Sequence, residues 1–410
     1  MTKDTEFIKR RVALITLQQS YLYAMNRQDS GDVFKTPPQV PGEAPVLAIE
    51  SLSLNQPPQV DGSSASKPIT SNGADHPALK RVDTHTADLK LPISSNGAAV
   101  VNTPLAKPLD DAKPLERPSP TADQLKKYET LLASVSKWTE IPESTAKGAK
   151  KSPIREYERM FLTRECLFRY LRATTWKVDQ AETRLLNTLI WRRGYGTDSF
   201  TADYISIENE TGKQVVLGWD IHARPVCYLR PSKQNTEKSD RQIEHLVYML
   251  ERTIDLMPPG QETLALLINF AETKSGQGAT VAQGRQTLNI LQNHYPERLG
   301  RALVGNVPWV IWGFFKMITP FIDPVTKEKI KFNEDFSKYV PRDQLMKDAN
   351  GNVNFQYDHA AYWPALNKLA EMKRTAYRER WEAAGKRIGE YELYLRGGDQ
   401  RPLAEVETEH

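Results

Sequence analysis

Few residues of this sequence are spaced for bond-making chemistry. The seven histidines (His76, His85, His222, His245, His294, His359 and His410) match no metal-binding pattern, so a satisfied structural role is the default for each. No Gly-x-Ser-x-Gly nucleophile elbow occurs. Gly276-Gln-Gly278 follows an apolar run and precedes helical patterning, as a phosphate loop does. It lacks the Lys-Ser/Thr of a P-loop and the third glycine of a dinucleotide fingerprint. Cys166 and Cys227 stand far apart in apolar contexts, which excludes a disulfide framework or a cysteine zinc site and suits a reducing compartment. No catalytic residue, metal ligand or cofactor is assigned.

The unusual segment is physical rather than catalytic. From Trp309 to Ile318 only Gly313 and Lys316 are not apolar. A helix apolar all round is either buried or faces lipid on one side. An ordinary core helix has the same pattern. Two tryptophans and two phenylalanines shift the balance, because the amphipathic indole ring favours membrane–water interfaces. Trp309, Trp312, Phe314 and Phe315, with Phe321 just beyond, are therefore candidates for a lid that covers an apolar cavity and dips into a bilayer. Polar groups flank it: Glu297 in Tyr295-Pro-Glu-Arg298, Asp323-Pro324-Val-Thr326, and Lys329-Ile-Lys331-Phe332. Strand alternation would put Lys329 and Lys331 on one face, opposite Ile330 and Phe332. Each also has an ordinary role available: Glu297 could pair with Arg298 or Arg301, Asp323 could cap a helix, and strand lysines are commonly solvated.

The elements that must position these groups occupy only part of the 410 residues. No Phe, Tyr or Trp lies between Lys35 and Lys127, 14 of the 27 prolines fall between Pro37 and Pro120, and all eight tryptophans lie at Trp138 or later. Residues 1–120 thus read as a disordered low-complexity arm that cannot bury enough surface to offset its ordering entropy. Within it, Pro68-Ile-Thr-Ser-Asn-Gly-Ala74 is echoed once, by Pro92-Ile-Ser-Ser-Asn-Gly-Ala98. Helical periodicity marks Ala122–Val135, a segment carrying Phe161, Leu167 and Leu171, and a helix capped at Asp179 with Glu182 and ending before Gly194. The period then changes. Gln214–Gly218 and Pro225–Arg230 read as strands, Arg241–Met257 as a helix, and Leu264–Ile268 as a strand buried on both faces. A helix to His294, a strand at Ala302–Val307, another helix from Pro308 and a strand at Lys329–Phe332 complete an alternation that predicts an α/β fold with a mostly parallel sheet. A charged helix from Pro364 to about Tyr391 is expected on the outside. Domain bounds follow at 121–198 for a helical module, 199–362 for the α/β domain and 363–410 for a charged helix and tail.

A formal net charge of +4 gives no reason to expect nucleic acid as a partner. No apolar run reaches the roughly 18 residues that span a bilayer, and Val12–Leu17 is too short for a signal-peptide core. A soluble, cytoplasmic protein is expected.

Several of these segments together resemble the CRAL-TRIO lipid-binding family, in its fungal phosphatidylinositol transfer branch of the yeast secretion-factor type. Arg169-Tyr-Leu-Arg-Ala173 resembles its N-terminal helical module, Arg224-Pro225-Val226 a strand signature, Tyr295-Pro-Glu-Arg-Leu-Gly300 its central motif and Pro320-Phe-Ile-Asp-Pro-Val-Thr326 its late one. Lys233-Gln-Asn-Thr236 and Asn306-Val-Pro-Trp309 resemble the subgroup linked to azole and pleiotropic drug resistance. The likeness covers roughly residues 122 to 365. It implies an N-terminal helical module followed by a CRAL-TRIO domain whose helices and sheet enclose an apolar lipid cavity, here lined by Leu264, Leu266 and Ile268. It also implies that Glu297, Thr326 and Lys329 engage the phosphatidylinositol headgroup. A further headgroup lysine of the family falls at about Thr175 in this sequence. Two hydroxyl residues that accompany phosphatidylcholine binding are replaced by Leu264 and Leu266, which points to a more apolar second ligand such as a sterol. The expectation is a non-enzymatic transfer protein, supporting phosphoinositide and lipid homeostasis. Its partners would be phospholipid, sterol, a transient membrane surface (endoplasmic reticulum, lipid droplet or cell periphery) and lipid kinases. The alternative is a sensing module of the same fold that binds a sterol or other apolar ligand and acts through a protein partner.

Overall fold

A computed structural model describes residues 89–274, 277, 281–307, 312 and 328–408, which fall within one compact unit. After a two-residue strand β1 (Val100–Val101), helix α1 (Ala122–Val135) opens on a capping box. Thr121 Oγ1 accepts from Gln124 N at 3.3 Å while Thr121 N donates to Gln124 Oε1 at 3.0 Å. A hairpin, β2 (Glu140–Pro142) and β3 (Lys151–Pro153), leads to α2 (Glu156–Phe161), α3 (Arg164–Ala173) and α4 (Val178–Tyr195). Leu131 and Val135 of α1, Leu167 and Leu171 of α3, and Leu185 and Leu189 of α4 share one apolar cluster, closed by Ile388 from the far end of the chain.

Helix α4 departs from its expected ends. Its N-terminus follows two residues with positive φ, Thr175 and Trp176, and its N-cap is Lys177, whose side chain does not cap the helix. Glu182 does not close a capping box; it accepts a hydrogen bond from Ser134 of α1 at 2.5 Å. The helix passes through Gly194 and stops at Gly196, whose φ of 79° is the left-handed C-terminal cap that glycine adopts without steric cost.

A short helix α5 (Ala202–Ser206) precedes the sheet, whose order is β4 (Gln214–Trp219), β5 (Pro225–Leu229), β6 (Leu264–Asn269), β7 (Leu299–Gly305), β8 (Ile330–Phe332). Only β4–β5 is antiparallel; the other pairs are parallel, with α6 (Asp240–Asp255) and α7 (Val281–His294) as crossovers. The expected α/β class with a mostly parallel sheet is what the chain forms. Between Val216 and Trp219 the β4–β5 register slips. There the Tyr362 hydroxyl accepts from Val216 N at 2.7 Å and donates to Val216 O at 3.0 Å, so the interrupted ladder leaves neither group unpaired.

Two expectations fail. Residues 89–120 are not part of a disordered arm. Val100–Val101 pairs in parallel with β9 (Asn354–Phe355), Leu105 is wholly buried, and Gln344 Nε2 donates to Ile93 O at 2.9 Å and Lys107 O at 3.0 Å. This strap has no aromatic residue of its own and gains its burial by joining the core formed by Phe336, Leu345 and Tyr362. Nor is the C-terminal helix external. It is α8 (His359–Ala383), and Tyr362, Trp363, Leu366, Leu369 and Trp381 are buried. Its charges occupy the other face, so charge density alone misplaced it. A short helix α9 (Glu392–Leu395) follows. Among the described residues no helix is long and apolar enough to cross a membrane.

Candidate functional site

The two faces of central strand β6 are packed differently. Ala265 and Leu267 are 0% and 1% exposed, beneath the C-terminal segments. Leu266 and Ile268, pointing the opposite way, stay partly exposed although both neighbouring strands are paired; Leu264 on that side is buried. Register extends the second face into rows: Cys227–Leu266–Ala302–Ile330, then Leu229–Ile268–Val304–Phe332. In the latter row Leu229, Ile268 and Phe332 all remain partly exposed. Trp312 is 39% exposed, and its ring meets Phe332 edge-on with centroids 5.5 Å apart. Aliphatic side chains left open on an interior strand form a surface suited to hydrocarbon.

A polar end lies beside it. The parallel register Ala302↔Ile330 sets Lys329 level with Arg301 where β7 and β8 begin, and Glu297 lies four residues before Arg301, in the turn ahead of β7. Glu297 is half-buried, with φ of 59° in the turn after α7. Neither arginine offered as its partner takes that role. Arg298 Nη1 donates to Glu262 O at 2.9 Å, and Arg301 lies over the Tyr339 ring at 4.4 Å with Nε 3.9 Å from Asp220. Glu297 and Glu262 each stand two residues ahead of the paired Leu299 and Leu264, so the turn of Glu297 lies beside the acid that binds Arg172 of α3. Lys329 is half-buried in a helical turn before β8, so strand alternation does not reach back to it; Lys331 lies 6.0 Å from the Tyr339 ring centroid. Thr175 is exposed, and its hydroxyl donates to Thr174 O at 2.7 Å. Thr326, Trp309, Phe314, Phe315, Phe321 and the Gly276/Gly278 pair lie outside the described residues.

Much of the central motif serves as scaffolding for this end. The Tyr295 hydroxyl donates to Glu251 Oε1 at 2.6 Å, and Arg192 Nη1 donates to the same oxygen at 2.8 Å. Burial works to raise the pKa of Glu251, yet Arg192 and the Tyr295 hydrogen bond hold it down at about 2. A Cβ on Gly300 would sit 2.4 Å from Arg224 Nε and 2.5 Å from Thr263 Oγ1. Arg224 needs that space: its Nε donates to Thr263 Oγ1 and its Nη1 to Asp220 Oδ2, both at 3.0 Å. The Arg224-Pro-Val and Tyr295–Gly300 motifs therefore interlock.

A cluster unforeseen in the sequence adjoins the polar end. Glu262, ahead of β6, accepts from Arg117 of the strap at 2.7 Å and from Arg169 and Arg172 of α3 at 3.0 Å each. Arg169 also reaches Glu392 at 2.6 Å. The only advance sign was the three-residue spacing of Arg169 and Arg172, which puts both on one helix face.

Residues 127–187 match the CRAL/TRIO N-terminal domain and residues 209–351 the CRAL/TRIO domain. The phosphatidylinositol transfer protein PDR17 of Saccharomyces cerevisiae is 36% identical over 314 residues, 72% of this chain and 87% of that protein. A CRAL-TRIO domain-containing protein of Schizosaccharomyces pombe is 46% identical over 341 residues, 82% of this chain but only 33% of its own length. The SEC14 cytosolic factor of Kluyveromyces lactis is 26% identical over 209 residues, 45% of this chain and 69% of that protein. The chain belongs to the CRAL-TRIO family.

Proposed function

We propose that this chain is a non-enzymatic lipid carrier that binds phosphatidylinositol and a more apolar lipid such as a sterol, and exchanges them between membranes. The observation that carries it is the incomplete packing of Leu266 and Ile268 on an interior strand. Support also comes from the similarity to proteins named for phosphatidylinositol transfer. A diacyl lipid exposes roughly thirty methylenes at about 0.8 kcal/mol each, so bare desorption into water costs on the order of 20 kcal/mol. A carrier lowers that cost by keeping the tails on an apolar surface throughout, and no bond is made or broken. Glu297 and Lys329, which precede β7 and β8, suit an inositol phosphate: the carboxylate accepts from sugar hydroxyls and the ammonium pairs with phosphate. Leu264 and Leu266, in place of hydroxyl residues, favour an apolar second ligand. The exposed ring of Trp312 suits transient insertion at a membrane surface.

Liposome-to-liposome transfer with the purified chain tests this. Glu297→Ala combined with Lys329→Ala is expected to lower phosphatidylinositol transfer by tenfold or more and leave sterol transfer intact. Unchanged phosphatidylinositol transfer would remove the headgroup assignment. Trp312→Asp is expected to weaken vesicle binding in a flotation assay; equal binding would place membrane contact elsewhere.

A further inference from the structure

The headgroup lysine that the family resemblance implies falls at Thr175 in this sequence, whose exposed hydroxyl carries no charge to offer a phosphate. Positive charge is nevertheless abundant close by. Arg117, Arg169, Arg172, Arg298 and Arg396 gather around two carboxylates, Glu262 and Glu392. A third acid, Glu165, accepts from Glu392 N at 2.7 Å and is pushed up to about 7 by burial and by Glu392. Guanidinium groups thus outnumber the carboxylates facing them. Burial and neighbouring arginines pull Arg172 and Arg298 below the ordinary arginine range, as a surplus of buried cations requires.

Two of these arginines face outward. Arg117 keeps 42% of its side-chain surface exposed and Arg172 keeps 23%, whereas Arg169 keeps 3%. Both share the single carboxylate of Glu262, and Arg172 Nε has no hydrogen-bond acceptor. Leu264 pairs with Leu299, and Glu262 and Glu297 each stand two residues ahead of that pair, so Glu262 and these two arginines adjoin the turn that carries Glu297.

We propose that Arg117 and Arg172 form an anion clamp that receives the phosphodiester of the inositol headgroup, replacing the lysine missing at Thr175. It rests on the lipid-carrier function proposed above and adds to it a residue from the strap. A guanidinium pair matches phosphate oxygens in both geometry and charge. On arrival the phosphate competes with Glu262 for Arg117 and Arg172, and the hub gains the negative charge it lacks. The strap is thereby a part of the binding site rather than a tether alone.

Capture of lipid from donor vesicles by the full chain provides the test, with one vesicle set carrying phosphatidylinositol and another a fluorescent sterol. Arg117→Ala is expected to lower phosphatidylinositol capture about tenfold with sterol capture held within twofold, and Arg117→Lys to restore part of the loss. Arg172→Gln is expected to act in the same direction; if that variant fails to fold, the exposed Arg117 still decides the matter. Undiminished phosphatidylinositol capture by Arg117→Ala overturns the clamp, and so does an equal loss of both lipids, which would mark a structural role. Calorimetric titration with soluble glycerophosphoinositol separates the sources of phosphate. Binding that Arg117→Ala abolishes supports a clamp open to free phosphodiesters. No heat, alongside the vesicle effect, supports a clamp that reads phosphate only on a lipid. Wild-type chain that captures neither lipid would overturn the carrier function itself, a result distinct from failure of the clamp.

Discussion

At Gly300 a single missing methyl group decides how two motifs meet. Gly300→Ala drives a Cβ into Arg224 and Thr263 at contacts of 2.4 and 2.5 Å, and a stability loss of about 1–3 kcal/mol is expected in chemical denaturation. Glu165 offers a second residue-level test. Burial, then Glu392, raises its pKa from an ordinary 4.5 to about 7, so the folded chain holds a proton that the unfolded chain has already released. Between those values the native state binds more protons, and stability from this group falls as pH rises. Glu165→Gln should therefore flatten the decline in denaturation midpoint from pH 5 to pH 8, and an unchanged slope would place the titration elsewhere. Glu297 and Lys329 stand in contiguous motifs, which is why the sequence offers them as headgroup candidates. The Glu262 hub was not legible there, because its partners lie far away along the chain, at Arg117, Arg169 and Arg172, and no local pattern records such a meeting.

Among the elements, the sheet was readable and the two flanking segments were not. Strands β5, β6 and β7 announce themselves as short β-branched and aliphatic runs, each near its expected place. The strap was misjudged because aromatic content measures a segment's own capacity to form a core, not its capacity to join one. Leu105 shows the difference: it is wholly buried, and Leu105→Ala is expected to cost about 2–5 kcal/mol in denaturant unfolding. A loss under about 0.5 kcal/mol would show that the strap contributes little to the fold. Helix α8 was misplaced for a related reason, since Tyr362, Trp363, Leu366 and Leu369 make a narrow inner stripe beneath a charged outer face.

For the molecule as a whole, the asymmetry of β6 links fold to function. One face of the sheet is sealed by the strap and the C-terminal segments; the other keeps aliphatic side chains open along the row that ends at Phe332 and Trp312. Filling that space should block the ligand without harming the fold. Leu266→Trp is expected to abolish lipid capture while leaving thermal stability equal or higher, and a marked destabilisation would mean that no space was there. The most direct measurement is native mass spectrometry of the full chain after incubation with phosphatidylinositol vesicles. One phospholipid bound per chain, absent from Leu266→Trp, is the expected result. A chain that remains free of lipid in both forms would contradict the carrier function.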